Sequence, residues 1–216
     1  MTTSPTSGPR RALVVVDVQQ EYFDGVLEIQ YPPRDTSLAQ VLRVLDAAEQ
    51  AGLPVVVVQH ELPAGAPVFA VGTPGHELHP ALAARASSSW KRVTKSFSSV
   101  FAGTGLADWL AEQGVDTVTL VGFMTNNCDL ASAAAAEELG LAVEVISDAS
   151  GAIHLANELG TVSAQQLHET LMVLLQSNFA AVASTDDWLA AVGSGTALAG
   201  SDLGTSAAQG AAAMAG

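Results

Sequence analysis

The feature that most constrains the fold is a regular alternation of short β-branched runs with longer stretches of helical periodicity. Six runs rich in valine are typical of buried parallel strands, and they are Ala12–Asp17, Pro54–Gln59, Arg92–Lys95, Asp116–Val121, Ala142–Ser147 and Phe179–Ser184. Helical stretches separate most of them, at Ser37–Ala51, Gly105–Gln113, Asn126–Leu139 and Ser163–Gln176. This order predicts an α/β fold of three α/β/α layers around a doubly wound, six-stranded, mainly parallel sheet.

The two ends of the chain differ in composition from this middle part. Residues 1–10 are rich in Ser, Thr and Pro, and residues 193–216 contain no aromatic or basic side chain and one acidic residue. Such segments bury too little side chain to offset the entropy that is lost on ordering. The sequence therefore predicts a disordered N-terminus over 1–10, one domain over 11–192 and a disordered low-complexity tail over 193–216.

Charge and cysteine content exclude several classes of protein. The chain has 8 basic and 22 acidic residues, a net charge of −14. Because so negative a surface repels phosphate backbones and anionic lipids, we expect neither a nucleic-acid nor a membrane partner. The N-terminus lacks the apolar segment of a signal peptide, and a single cysteine is typical of a reducing compartment, so a cytoplasmic location is expected.

Three reactive side chains lie at or just after the ends of predicted strands, where doubly wound sheets bind their ligands. Asp17 closes the first strand, Lys95 closes the third, and Cys128 lies just past the fourth, in the first turn of a helix. A buried carboxylate near a cation can act as a general base. The N-terminus of a helix is expected to lower the pKa of the Cys128 thiol. Together the three residues predict a site for nucleophilic catalysis.

Each of these residues also has a purely structural interpretation. Asp17 can cap the loop after its strand, Lys95 can be a solvated surface residue, and a single buried cysteine is often inert. The histidines give no clear metal site, because His60, His76 and His79 match no recognised zinc spacing. The glycine motifs of dinucleotide and nucleotide binding and the GxSxG serine motif are absent. We therefore expect no metal and no cofactor.

From about Ala12 to Ala191 the chain resembles the isochorismatase-like cysteine hydrolases, a family that includes nicotinamidases and N-carbamoylsarcosine amidases. The motifs that carry the resemblance are LVVVDVQQEYF, KSFSSVFAGTGL, LVGFMTNNCDLASAA and STDDWLAAV. It implies a Rossmann-like, isochorismatase-like fold and a catalytic triad of Asp17, Lys95 and Cys128. Since family members are commonly dimers or tetramers, it also implies a homodimer or homotetramer.

The resemblance further implies how the reaction intermediate is stabilised. The backbone N–H groups of Met124 and Cys128 would form an oxyanion hole, with a cis peptide bond at Phe123–Met124. Attack by Cys128 on an amide carbonyl would give a thioester that water hydrolyses. Residues close to the motifs are predicted to line the substrate pocket, and they are Tyr22, Phe23, His60, Trp90, Phe101 and Asn127.

Departures from the family pattern narrow the choice of substrate. Metal-dependent nicotinamidases carry an Asp-x-His…His site after the second strand, where this chain has QHELPAGAPVF. The segments LEIQYPP and GFMTNNCDL are similar to those of streptothricin hydrolase-like enzymes, which open a lactam. The first interpretation is a cysteine-dependent hydrolase of an amide or lactam. The alternatives are a vinyl-ether hydrolase in which Asp17 acts without the cysteine, and a non-catalytic binding protein.

Overall fold

Eight strands form in the computed structural model, which describes residues 8–215. They are β1 (Arg11–Val16), β2 (Val55–His60), β3 (Lys91–Lys95), β4 (Thr117–Phe123), β5 (Ala142–Gly151), β6 (Leu155–Asn157), β7 (Gly160–Val162) and β8 (Ala181–Ala183). Six of them form one parallel sheet in the order β3-β2-β1-β4-β5-β8, and β6 and β7 form a separate antiparallel hairpin. The predicted doubly wound parallel sheet is confirmed.

Eight α-helices connect or follow the strands. They are α1 (Glu21–Asp24), α2 (Arg34–Gln50), α3 (Pro80–Ala83), α4 (Leu106–Glu112), α5 (Leu130–Glu138), α6 (Ala164–Leu174), α7 (Thr185–Ser194) and α8 (Leu203–Ala213). Two π-helical turns, Thr125–Asp129 and Leu175–Phe179, adjoin α5 and α6. No helix among the described residues has both the length and the apolar character that crossing a membrane requires.

The helices cover both faces of the sheet, so successive residues of the central strand β1 are buried on opposite sides. Leu13 and Val15 belong to a core that includes buried residues of α2 and Trp188 of α7. Val14 and Val16 belong to a second core, which α4 and α5 cover. The two cores, separated by the sheet, give the three layers that the sequence predicts.

A buried ion pair joins the amino ends of two central strands. The Arg11 guanidinium donates to both carboxylate oxygens of Glu144, at 2.8–3.1 Å, and to the Thr196 carbonyl at 2.6 Å. Thr119 and Trp188 donate to the same carboxylate, so its oxygens are well supplied with partners. The pair lies at the edge of the sheet opposite Asp17 and therefore has a structural role.

The C-terminal segment corrects the prediction of a disordered tail over 193–216. α7 continues to Ser194, and Leu203–Ala213 form α8, which begins where the Asp202 side chain accepts hydrogen bonds from the Thr205 amide and hydroxyl. The aspartate cap and the alanine-rich sequence favour the helix despite its lack of core-forming side chains. At the other end, residues 1–7 lie outside the described residues, and Arg10 pairs with Asp116 directly before β1.

Candidate active site

The carboxyl edge of the sheet brings the three predicted catalytic residues together. Asp17 follows β1, Lys95 is the last residue of β3, and Cys128 lies in the π-helical turn after β4. β2 lies between β1 and β3, and its last residue, His60, is paired in register with Lys95. The side chains therefore converge from four adjacent strands.

Lys95 is at the centre of this cluster. Its Nζ lies 2.7 Å from Asp17 Oδ2, 2.9 Å from His60 Nδ1 and 3.3 Å from Cys128 Sγ, and it also donates to the Phe97 carbonyl at 3.2 Å. Asp17, Lys95 and Cys128 are 0%, 2% and 1% exposed. The lysine is thus a buried ion-pair partner of Asp17, which excludes its interpretation as a solvated surface residue.

The Asp17–Lys95 contact is an ion pair without a well-aligned hydrogen bond. Within the described chain, neither oxygen of Asp17 has a well-aligned hydrogen-bond donor, although Oδ2 is in close ionic contact with Nζ. Burial lowers the pKa of Lys95, but the neighbouring Asp17 and Cys128 outweigh burial and raise it above its ordinary value. The lysine therefore remains an ammonium ion at neutral pH.

The protonation state of Cys128 differs from the sequence prediction. Burial and the neighbouring Asp17 raise the pKa of the thiol to about 12, and the opposing effect of Lys95 is smaller. The expected lowering at a helix N-terminus is wrong, because the thiol is desolvated and close to a carboxylate as well as to a cation. The resting nucleophile is consequently a neutral thiol.

Unusual backbone conformations occur where β1 and β4 lie close together near Asp17. Asp17 has a left-handed backbone with φ of 48°, a conformation that costs a non-glycine residue free energy. Opposite Val16, the residue before it, Gly122 has φ of 110°, and a Cβ atom at that position would lie 2.1 Å from the Val16 carbonyl oxygen. Only glycine fits there, so β4 can pass close to the end of β1, directly before the residue that carries the carboxylate.

The turn after β4 has the predicted cis peptide bond at Phe123–Met124. The Met124 amide, the first of the two predicted oxyanion-hole donors, makes no hydrogen bond to any described part of the chain. Cys128, the source of the second amide, lies four residues further on in the π-helical turn. Asn126 does not cap this turn, which has no side-chain capping hydrogen bond.

The residues predicted to line the pocket differ in how close they lie to the triad. Tyr22 is buried near the triad, where burial and then Cys128 raise the pKa of its hydroxyl, and His60 contacts Lys95 directly. Asn127 is half-buried beside Cys128, and Phe23 is a core residue that packs on Phe123. These positions place Tyr22 and His60 next to the nucleophile, and Asn127 is its neighbour in the chain.

Trp90 is not part of this cluster. Trp90 lies before the first residue of β3, at the opposite edge of the sheet, and its indole N–H donates to Glu49 at 2.8 Å. Phe101 is half-buried and packs against the core that α4 and α5 cover, a core to which Cys128 also belongs. The prediction that Trp90 lines the pocket is wrong, because a strand places its first and last residues at opposite edges of the sheet.

Sequence reasoning missed Asp129, which is fully buried next to the nucleophile. Burial and the nearby Asp17 raise the pKa of its carboxyl to about 7. The Ser150 hydroxyl is close enough to oppose this effect, but neither group completes a well-aligned hydrogen bond with the described residues. The only signal in the sequence was an acidic residue directly after the cysteine, before an alanine-rich helix.

The spacing of the donor atoms in the cluster can be compared with that of a metal site. Donor atoms of Asp17, His60 and Cys128 lie within 4.8 Å of one another, as the ligands of a metal ion do. Lys95 Nζ, however, contacts an atom of each of the three residues at 2.7–3.3 Å. Because this ammonium lies among the would-be ligands, the set fits an internal cation better than a metal ion.

The fold and the cluster together define a doubly wound α/β protein with a thiol, an ammonium and a carboxylate in contact at the carboxyl edge of its sheet. Residues 11–187 match the family described as the isochorismatase domain. The chain belongs to this family of hydrolases.

Individual relatives agree with this assignment. A solved structure from Burkholderia xenovorans LB400, assigned to the isochorismatases, is 49% identical, with a TM-score of 0.93 over 97% of this chain and 100% of that one. The secreted isochorismatase effector Isc1 of Verticillium dahliae is 31% identical over 85% of this chain and 93% of its own length. A streptothricin hydrolase of Streptomyces noursei is 35% identical over 68% of this chain and 58% of its own length.

Proposed function

We propose that the chain is a cysteine-dependent hydrolase that cleaves a C–N bond of a small amide or lactam through a thioester intermediate. The observation that carries the proposal is the position of Lys95 Nζ, 2.7 Å from Asp17 Oδ2 and 3.3 Å from Cys128 Sγ. A base and a thiol that both contact one cation, with their reactive atoms within 4.8 Å of each other, are the groups that nucleophilic catalysis requires.

In the first step, Sγ of Cys128 forms a bond with the substrate carbonyl carbon. Since the resting thiol is protonated, its proton passes to Asp17 as the bond forms, and no free thiolate needs to accumulate. The ammonium of Lys95 stabilises the negative charge that moves from the carboxylate to the sulfur and the carbonyl oxygen. The buried setting strengthens this attraction, because few water molecules compete for the charges.

The tetrahedral intermediate carries its negative charge on the former carbonyl oxygen. The backbone N–H groups of Met124 and Cys128 are the proposed donors to this oxygen, each contributing roughly 2.7–4 kcal/mol to the transition state. The unpartnered Met124 amide supports this role, because it is available to a ligand. Collapse of the intermediate breaks the C–N bond, and protonated Asp17 returns its proton to the leaving nitrogen.

The second half of the reaction consumes water. Asp17 accepts a proton from a water molecule, whose oxygen attacks the thioester carbon. The C–S bond then breaks, and the proton on Asp17 returns to the sulfur. The products are a carboxylic acid and an amine, which stay in one molecule if the substrate is a lactam. The streptothricin hydrolase among the relatives supports this substrate class.

One observation favours a second candidate, the vinyl-ether hydrolysis that the name isochorismatase denotes in the family and in the Verticillium relative. The thiol of Cys128 is neutral at rest, as a bystander would be. In that reaction Asp17 would act as the acid–base group, and the sulfur would form no covalent bond.

The two candidates are separated by two variants assayed on a panel of cyclic and linear amides and on isochorismate. Under the proposed mechanism, Cys128→Ala and Asp17→Asn each reduce turnover of the active amide by at least about a thousandfold, because nucleophile and base act as a unit. Trapping of a thioester by hydroxylamine supports it further. Retained activity of Cys128→Ala beside an inactive Asp17→Asn would establish the vinyl-ether alternative.

A further inference from the structure

His60 has no role in the mechanism above, yet both its backbone and its ring are held by contacts beside the triad. It ends β2 between the strands that carry Asp17 and Lys95. The side-chain amide of Gln19 accepts from the His60 N–H at 2.8 Å and donates to the His60 carbonyl at 2.9 Å. The backbone of His60 is therefore held from both sides by one side chain.

The imidazole ring is fixed as well. Lys95 donates to Nδ1 at 2.9 Å, and the ring of Phe69 packs against the imidazole with a centroid distance of 4.9 Å. Phe69 itself has a left-handed backbone with φ of 51° and is buried, which indicates that surrounding contacts enforce its position. The imidazole consequently has one orientation.

These contacts determine which nitrogen of His60 carries the proton. An ammonium has three donors and no acceptor, so the Lys95 contact requires an unprotonated Nδ1. Burial and then the charge of Lys95 lower the pKa of His60, so the ring is neutral and its proton is on Nε2. The 3.9 Å approach of Nδ1 to Asp17 Oδ2 is therefore not an ion pair.

The remaining polar atom of the ring, Nε2, is not sealed in the interior. Nε2 donates to no group in the described part of the chain and is not among its buried, unpartnered atoms, so it retains contact with solvent. A ring nitrogen of His60 also lies within 4.8 Å of Cys128 Sγ. Because both ring nitrogens belong to one small ring, a substrate that is bound at Sγ has atoms close to the imidazole, and an oxygen acceptor among them can meet the Nε2–H group.

We propose that His60 is a specificity-determining residue whose Nε2–H group donates a hydrogen bond to an oxygen acceptor beside the reacting carbon of the substrate. The inference rests on the proposed function and deepens it, because it selects amides that carry such an oxygen. Rigid placement by Gln19, Phe69 and Lys95 lowers the entropic cost of the interaction.

The test uses two alkylating probes and the single cysteine of the chain. Iodoacetamide has a carbonyl oxygen beside its reacting carbon, and iodoethane has none. The ratio of their labelling rates at Cys128, followed by intact-mass spectrometry, cancels changes in thiol ionisation. His60→Phe and His60→Asn should lower this ratio about two- to tenfold, as the loss of one neutral hydrogen bond does. His60→Gln, which places an amide N–H near the position of Nε2, should retain most of it.

The matched control is His76→Phe, since the imidazole of His76 lies beside Glu61 rather than the triad, and its ratio should equal that of the unaltered protein. Thermal melting of each variant establishes that the fold is intact. An unchanged ratio in both His60→Phe and His60→Asn would overturn the proposal. Because labelling requires no hydrolysis, this outcome is independent of the Cys128→Ala assay that tests the proposed function.

Discussion

A buried thiol between an ammonium and a carboxylate should respond in opposite directions to the loss of either neighbour. Asp17 raises the pKa of Cys128, whereas Lys95 lowers it. Asp17→Asn should therefore speed iodoacetamide labelling of Cys128 at neutral pH while it abolishes turnover. Lys95→Met should slow both. Each unit of pKa changes the thiolate fraction about tenfold, so the two rates should differ by more than that factor.

The control for this pair is the accessibility of the sulfur, which the rate of reaction with an organomercurial at neutral pH measures, because mercury binds thiols with little dependence on their ionisation. Equal or parallel changes of the labelling rate in the two variants would contradict electrostatic control of the thiol. Only Asp17→Asn should increase the labelling rate while it abolishes turnover, whereas Lys95→Met should decrease both rates. The comparison therefore separates the ionisation of Cys128 from its reaction with the substrate.

The buried carboxyl of Asp129 leads to a prediction about how stability depends on pH. Its carboxyl has a pKa of about 7 in the fold against 3.8 in the unfolded chain. Between these values the native state binds a proton that the unfolded state does not, so the free energy of unfolding falls as pH rises from about 4 to about 7. Asp129→Asn removes this loss, and its stability relative to the unaltered protein should increase over that range, on the order of a few kcal/mol.

Chemical denaturation across the same pH range measures this difference. Asp108→Asn is the matched control, because it makes the same chemical change at an exposed position on α4. A difference for Asp129→Asn that does not vary with pH would mean that the buried carboxyl is solvated or paired in solution.

At the scale of elements, the sheet was predictable because its residues are apolar on both faces and lie between helical stretches. β1 and β2 match the predicted runs to within a residue at either end. The triad was predictable for the same reason, since strand ends fix where Asp17 and Lys95 lie. The ionisation of Cys128 was not, because it depends on burial and on atoms that only the folded chain brings together.

The short hairpin β6–β7 and helix α8 were not predictable from pattern. β6 and β7 each have three residues, too few for alternation to be visible, and α8 has no buried residue among those described. Its helix depends on the Asp202 cap and on alanine propensity, which the low-complexity composition concealed. Trp90 was misplaced for a related reason, since sequence proximity to Lys95 does not tell which edge of the sheet a residue faces.

Two truncations should show that the two parts of the C-terminal segment contribute differently to stability. Between α7 and α8, the Thr196 carbonyl accepts a hydrogen bond from buried Arg11, and Leu198 packs against the core. Ending the chain at Ser194 removes both contacts and should cost about 2–4 kcal/mol of stability. Ending it at Gly200 removes only α8 and should change stability by less than about 0.5 kcal/mol. Equal melting temperatures for the two truncations would show that residues 195–200 contribute nothing to the fold.

At the scale of the whole molecule, the net charge and the exposed apolar side chains have opposite effects on self-association. A net charge of −14 makes copies of the chain repel one another at low salt. Several large apolar side chains are nevertheless strongly exposed, among them Leu159 at 92%, Met214 at 89% and Val173 at 72%. Isolated two-stranded hairpins such as β6–β7 are also marginally stable in water. Burial of such groups between copies would stabilise an assembly.

We therefore predict a homodimer or homotetramer whose association strengthens as salt is added. Salt screens the repulsion between acidic subunits and leaves apolar burial intact, so the assembled fraction should rise with ionic strength. Light scattering coupled to gel filtration measures the mass at several salt and protein concentrations. Leu159→Ser with Val173→Ser should shift the equilibrium toward the monomer, whereas Glu112→Gln, an exposed change that also reduces the negative charge, should shift it slightly toward the assembly. A monomer under all conditions would contradict the prediction, and an assembly that salt dissociates would indicate an interface of ion pairs instead.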